Sequence, residues 1–187
     1  MHASATAEDY LQIAIDAATA GDGCQAALDA LPVPVYITDP TGLVTYWNRA
    51  SVRFAGREPQ LGSDRWCVTW RLYTSSGDRL PHDRCPMAEA IHKQVPIRGK
   101  IAIAVRPDGT RAAFRAYPTP LIDKTGTLTG AVNLLLDVSE EQASALTDQA
   151  ARCRRLALAT HDSKASTMLE QMACEYAVTA AALTKAS

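Results

Sequence analysis

Three short turns constrain this chain more than any other feature: Asp39-Pro40-Thr41-Gly42, Arg106-Pro107-Asp108-Gly109 and Asp123-Lys124-Thr125-Gly126. They adjoin runs with the two-residue hydrophobic period of strands, so the middle of the chain should fold as an antiparallel sheet. Proline's fixed φ suits the second position of the first turn, and Gly109 supplies the positive φ that closes the second. Before the first turn, Val33, Val35 and Ile37 alternate with Pro34, Tyr36 and Thr38; Leu43 to Trp47 then completes a hairpin. Ile97, Ile101, Ile103 and Val105 are expected on one face of the strand before the second turn. Ala112, Phe114 and Ala116 share a face of the strand after it. In the last strand, Leu128 to Asp137, Val132, Leu134 and Leu136 oppose Ala131 and Leu135, the pattern of a central strand covered on both sides.

Helical spacing brackets this sheet. Leu11, Ala14, Ile15 and Ala18 form an apolar stripe from about Thr6 to Ala20, with Thr6 as N-cap and Glu8 and Asp9 at the positive end of the dipole. Gly21-Asp22-Gly23 should stop that helix, and two more turns follow from Cys24 to Ala30 before Leu31-Pro32 forces an extended backbone. Asn48 is placed to cap a helix that runs to about Gly56. From Arg57 to Arg84 no period is sustained, yet Trp66, Trp70 and Tyr73 predict a packed loop, with turn residues at Ser75-Ser76-Gly77-Asp78. Asp83 is a candidate cap for the next helix, with Pro86 in its first turn. Ser139-Glu140-Glu141-Gln142 has the form of a capping box. The helix it begins should reach about Ala159, with Leu146, Cys153 and Leu156 at core-like spacings. After a break at Thr160 to Ser163, a second helix to about Lys185 presents Leu169, Met172, Ala173, Tyr176 and Ala180, so an antiparallel helical hairpin is expected.

Composition narrows function chiefly by exclusion. At 187 residues and 47% hydrophobic, the chain can bury one good core plus a small appendage. Nineteen basic against twenty acidic side chains leave a net charge of −1, which offers no diffuse attraction to nucleic acid or anionic lipid. The start lacks the basic and apolar regions of a secretion signal and no run approaches membrane-spanning length, so a cytoplasmic protein is expected. Five cysteines with wide, irregular spacing and no C-x-x-C pair fit neither a disulfide framework nor a metal site, and buried thiols are expected. The phosphate-binding, nucleophile-elbow, zinc-protease and cyclase signatures are missing, so no enzyme is expected.

The order of these elements, together with particular residues, resembles the PAS domain family over about Leu31 to Gln142. The matching pieces are Pro34-Val35-Tyr36-Ile37-Thr38-Asp39 with Gly42, then Tyr46-Trp47-Asn48-Arg49-Ala50 and Arg106-Pro107-Asp108-Gly109-Thr110-Arg111. Gly130-Ala131-Val132 and Asp137-Val138-Ser139-Glu140 complete them, and Asp78 to Pro81 with Cys85 to Ala88 looks like a version common in bacterial sensor proteins. The resemblance implies an α+β PAS fold: a five-stranded antiparallel sheet with short helices closing one face over a small pocket. Residues 1–30 form a flanking helix, 31–138 the PAS domain and 139–187 the helical hairpin. It also implies a sensory module for a small ligand or a partner, relaying through its C-terminal helices, and a homodimer joined through the N-terminal helix or the outer sheet face.

Tyr46, Phe54, Trp66, Trp70, Ile103 and Phe114 are the ligand-pocket candidates, since an apolar concavity with an indole donor suits a small molecule. The alternative is a structural adaptor whose pocket these side chains fill. Asp137, Ser139 and Glu140 are the relay candidates, because this exit couples sheet to helix in the proteins it resembles. The resemblance leaves the cofactor open, including the case of none. For haem, His92 is the residue to test as axial ligand, against an ordinary solvated histidine near a helix end. The Asn-Cys-Arg-Phe context of a covalent flavin site is missing, and Cys85 beside Arg84 is the place to look for a redox thiolate. His161-Asp162 is set against a kinase phosphoacceptor pair, but it falls at a helix break without an Arg-x-Pro continuation and reads as a capping turn.

Overall fold

Thr6 begins the first helix as its sequence suggests, and with more than a simple cap. Its hydroxyl accepts from the Asp9 amide at 3.2 Å while the Asp9 carboxylate accepts from the Thr6 amide at 2.8 Å. This reciprocal pair opens α1 (Ala7–Thr19). The structure, a computed structural model, describes residues 6–20 and 25–184. Gly21-Asp22-Gly23, Cys24 and Lys185, to which boundaries were assigned above, lie outside them.

After α2 (Gln25–Asp29) come β1 (Val35–Thr38), β2 (Val44–Trp47) and α3 (Arg49–Ala55). Then follow β3 (Arg71–Thr74), β4 (Arg79–Leu80), a single 3-10 turn (His82–Arg84) and α4 (Pro86–Lys93). The chain continues through β5 (Ile101–Val105), β6 (Arg111–Ala116), β7 (Thr119–Ile122) and β8 (Leu128–Asp137) to α5 (Ser139–Ala159) and α6 (Ser163–Thr184). The strands form one antiparallel sheet in the order β2-β1-β8-β6-β5-β3-β4, with β7 also paired to β8.

Eight strands replace the five expected. Two come from the stretch read as irregular, where Leu72 and Leu80 pair across the Ser75 to Asp78 turn and β3 adds to the edge of β5. The third arises because the strand after the Arg106 to Gly109 turn is interrupted. Pro118 has no amide to give, and the Tyr117 amide turns to Asn133 Oδ1 at 3.1 Å and the Leu134 carbonyl at 2.9 Å. Beyond the interruption, Thr119–Ile122 pairs again with β8. Ile97, expected in the strand, lies ahead of β5, its amide bonded to the Pro118 carbonyl at 3.1 Å.

Each face of the sheet has its own cover. Ala102, Ala104, Ala112, Phe114, Ala116 and Leu135 meet Phe54 of α3 and Met87, Ala88 and Ile91 of α4 on the inner face. On the outer face, Leu11, Ala14 and Ala17 of α1 pack over Val35, Val132 and Leu134. Ala143 and Leu146 of α5 and Ala180 and Leu183 of α6 pack over Ile103 and Ala113. Each large side chain fully removed from water in this way contributes about 1.5–3 kcal/mol. Burial of Val132 and Leu134 on one side of β8 and of Ala131 and Leu135 on the other matches the covered central strand expected.

The helical hairpin is present with small residues at its seam: Ala143, Ala150, Cys153 and Ala157 on α5, and Ala173 and Ala180 on α6. Leu156 and Met172 do not belong to that seam; they are 51% and 37% exposed. The Asp162 carboxylate accepts from the amides of Lys164 and Ala165 at 2.8 and 3.3 Å, so the turn holding His161 caps α6, as read. At 1.5 Å per residue, the part of α5 beyond Leu146 extends about 20 Å past its sheet contacts.

Two expected caps are absent. Cys85 precedes Pro86 at the start of α4 without a side-chain cap bond, and Asp83 is exposed in the 3-10 turn. Ser139 makes no capping box, because its hydroxyl is used elsewhere.

Candidate functional site

Between sheet and inner helices, a fully buried tyrosine organises the polar groups. The Tyr36 hydroxyl donates to the Trp66 carbonyl at 2.9 Å and accepts from Asn133 Nδ2 at 2.9 Å. Asn133 spends its other end on the Tyr117 amide, so one side chain ties the core hydroxyl to the interruption between β6 and β7. Burial pushes the Tyr36 hydroxyl well above its ordinary range.

Trp66 is held in a left-handed backbone conformation, φ 67°, which costs a non-glycine residue about 1–3 kcal/mol. Its surroundings fix it there. Its amide donates to the Gly42 carbonyl at 2.7 Å, Arg65 bridges to Leu43, and its ring covers Gly42 so closely that a Cβ there would lie 2.2 Å from it. The Trp66 carbonyl also receives the Cys85 thiol at 3.6 Å. Cys67 lies in the same core and meets the Thr69 hydroxyl at 3.1 Å. Burial raises both thiols above their ordinary range, opposite to the shift a redox thiolate needs.

The six pocket candidates do not converge. Phe54 and Phe114 meet edge to face at 5.6 Å in the inner core, with Trp66 packed against it. Tyr46 faces the outer layer and donates to Asp29 Oδ1 at 2.8 Å. Ile103 lies under the hairpin, because odd residues of β5 point outward. Trp70 is 41% exposed at the start of β3, with the Arg71 guanidinium 4.0 Å above its ring. The space between sheet and inner helices is occupied by Tyr36, Phe54, Met87, Leu72 and Phe114. His92 is exposed near the end of α4, its ring edge-on to Trp66 at 5.2 Å. A solvent-side imidazole over a filled core does not fit an axial haem ligand.

Asn48 does more than cap α3. Fully buried, it accepts from the amides of Val35 (3.1 Å) and Ser51 (3.0 Å) and from the Ser51 hydroxyl (3.1 Å). Its amide group donates to the carbonyls of Val33 (2.9 Å), Leu28 (3.1 Å) and Leu31 (3.4 Å). One side chain thus joins α2, the entry to β1 and α3. Arg106 makes a comparable long-range bond, donating to the Phe54 carbonyl at the end of α3 at 2.8 Å. Tyr36, Asn133 and Arg106 join the site through the structure; of the three, Asn133 has a legible sequence signal, a lone Asn inside the apolar run Gly130 to Leu136.

At the exit of the sheet, two of the three relay candidates are built into the backbone. The Val138 amide donates to the Ala113 carbonyl at 2.9 Å, and the Ala113 amide donates to the Ser139 hydroxyl at 3.0 Å. The Ser139 amide in turn donates to Asp137 Oδ1 at 2.9 Å. The start of α5 is therefore tied to β6 as well as to the strand it leaves. Glu140 is exposed; its neighbour Glu141 pairs with Arg115 of β6 at 2.9 Å.

A family model described as the PAS fold matches residues 28–143. Among solved structures, the chain is similar to a LOV protein of Rhodobacter sphaeroides, at 14% identity over 97% of both chains with a TM-score of 0.49. A light-oxygen-voltage domain studied with a flavin analogue aligns at 17% identity over 68% of this chain and 93% of that one, TM-score 0.50. The PAS domain of the fruit-fly ELK potassium channel aligns at 12% identity over 63% and 95%, TM-score 0.49. At such identities the likeness is one of fold. No curated protein matches the sequence.

Proposed function

The chain belongs to the PAS family, and from that premise we propose that it is a non-catalytic cytoplasmic sensory module that responds to a small ligand or a partner and passes the change on through α5 and α6. The carrying observation is the double attachment of α5 to β6, through Val138 and Ser139 on either side of Ala113. A shift of β6 against β8 must move the start of α5, and the hairpin lengthens that movement into a displacement about 20 Å away. The two states differ in the register of this attachment, and a ligand or partner acts by preferring one of them. Among the described residues, no helix is long and apolar enough to cross a membrane, which accords with a cytoplasmic site of action.

In this reading the partner is a second copy, joined through α1 or the outer layer to which α1 belongs; Ile13, 44% exposed, is its outward apolar residue. The filled inner core favours a second reading, an interaction adaptor that senses docking and has no resident ligand. Native mass spectrometry of protein purified from its own host separates the two, since a bound small molecule supports the first and a ligand-free dimer the second. Ser139→Ala tests the relay. Hydrogen exchange should quicken in α5 and α6 and stay unchanged in α1. Equal protection in both proteins, or a monomer free of ligand under every condition, would overturn the proposal.

A further inference from the structure

Two helices of the outer layer carry opposite charge on their solvent sides. α1 holds Glu8, Asp9 and Asp16 and no basic residue. Its buried Leu11, Ala14 and Ala17 fix which way it faces. At the helical step, Asp9 and Asp16 then point away from the sheet with Ile13 beside them, and all three are exposed. The last third of α5 is the converse. Arg152, Arg154 and Arg155 fall in a stretch, Gln149 to Ala159, that has no carboxylate. Ala150, Cys153 and Ala157 are buried in the seam with α6, so Arg152 and Arg155 point directly away from it. Beside Arg155 stands Leu158, 87% exposed and the most exposed large apolar side chain among the described residues. The helix dipole does not account for either strip. Glu8 and Asp9 suit the start of α1, but Asp16 lies in its last turn, and the arginines stop short of the last turn of α5, which has no basic residue.

Within one chain the fold keeps these strips apart. α1 lies over Val35, Val132 and Leu134, whereas the arginines belong to the part of α5 beyond Leu146, past its contacts with the sheet. The strips also match in length, since the 13 residues of α1 and the free part of α5 each span about 20 Å. We propose that the solvent face of α1 in one copy docks along the free part of α5 in a second copy. Ile13 then meets the partner's Leu158, and Asp9 and Asp16 face the partner's Arg152 and Arg155. A two-fold axis makes the contact reciprocal, so each copy gives one α1 and one α5 and the assembly closes at two. The occupant is a second copy because the chain itself carries both halves of the complement, opposite in charge, equal in length and each with an exposed apolar residue. The inference rests on the homodimer of the reading above and names the surface that α1 meets.

The experiment is sedimentation velocity of the full chain over a concentration series in low salt. The parent should dimerise reversibly, and sodium chloride should weaken the dimer by screening exposed charges. Arg155→Glu and Asp16→Lys should each weaken it about tenfold, since each sets like charges face to face in both contacts. Combined in one chain, the two reversals restore opposite charges across the contact and should restore the dimer. Leu158→Ser should weaken it as well, whereas Leu61→Ser, an exposed apolar residue of neither helix, should not. Arg155→Gln removes the charge without reversing it; its smaller loss keeps the test decisive if a reversal unfolds the chain. The pairing is overturned if the reversals dimerise as the parent does, or if the combined variant stays as weak as either alone. A parent dimer broken by Ile13→Ser but indifferent to Arg155 overturns the pairing and leaves the homodimer through α1 standing. A parent that is monomeric at every concentration overturns both.

Discussion

Replacing Asn48 with Ala should cost far more than a helix cap is worth. The cap itself, the bond to the Ser51 amide, accounts for about 1 kcal/mol. The larger share comes from what the substitution strands. The Val35 amide and the Val33 carbonyl have Asn48 as their partner, and both lie where β1 enters the sheet. A buried group left without its bond costs about 1–3 kcal/mol. Together these give about 3–7 kcal/mol, a large part of the 5–15 kcal/mol by which a domain is normally stable. With a urea slope of about 2 kcal/mol per molar, the unfolding midpoint should fall by about 1.5–3.5 M. Thr6→Ala supplies the control, because Thr6 is an exposed cap whose bonds are confined to its own first turn. That variant should lose about 1 kcal/mol and about 0.5 M. If Asn48→Ala unfolds at the same urea concentration as Thr6→Ala, Asn48 is a cap and nothing more, and the three-way junction assigned to it is wrong.

Gly42→Ala and Gly77→Ala form a matched pair, since both positions have positive φ but only the former faces an obstacle, the Trp66 ring. Each should lose about 1 kcal/mol from backbone strain, with about 1–3 kcal/mol more at Gly42; equal midpoints in a urea titration would mean that Trp66 gives way freely. Iodoacetamide labelling at pH 8, mapped by mass spectrometry, should modify exposed Cys174 while Cys67 and Cys85 react more than about a thousandfold more slowly until urea is added. Fast native labelling of either buried thiol would contradict their raised ionisation. Because burial holds His82 below its ordinary value of about 6.5, the unfolded chain takes up this proton first. Stability should therefore fall as pH drops from about 6.5 toward the folded value, with no contribution above it. Urea midpoints measured between pH 7 and 5 should decline less steeply in His82→Gln, and parallel declines would exclude the histidine as a source.

The parts of the fold that the sequence revealed are those whose determinants are local. The Thr6 cap, the Asn48 cap, Pro86 at the start of α4 and the two-sided burial of β8 each depend on a few consecutive residues. What escaped depends on partners far along the chain. Leu72 looks like a loop residue until β5 supplies an edge for β3, and Leu80 until β3 supplies one for β4. Pro118 and Pro120 argue against a strand, yet β7 forms because β8 extends past the end of β6 and offers a free edge there. Ser139 begins a faultless capping-box pattern, but the Ala113 amide takes its hydroxyl first. Among the pocket candidates, Phe54 and Phe114 were recognisable from alternation and cap position. Ile103 was not, because no local pattern says which face of β5 the short inner helices will cover, and alanines on the inner face leave room for larger helix side chains. His82 Nε2, buried without a hydrogen-bond partner, has no sequence signature at all.

The outer face of the sheet is divided between α1, which covers Val35, Val132 and Leu134, and the hairpin, which covers Ile103 and Ala113. For chimera building, this division means that the sheet cannot be transplanted as a bare cassette. A graft cut at Val138 would carry one uncovered oily strip into its new host, and a graft cut before β1 would carry another. The smallest portable unit is the sheet with both of its covers. Any recipient domain spliced on in place of the hairpin must bring an apolar surface of its own to stand over β5 and β6, or the fusion will find one by aggregating.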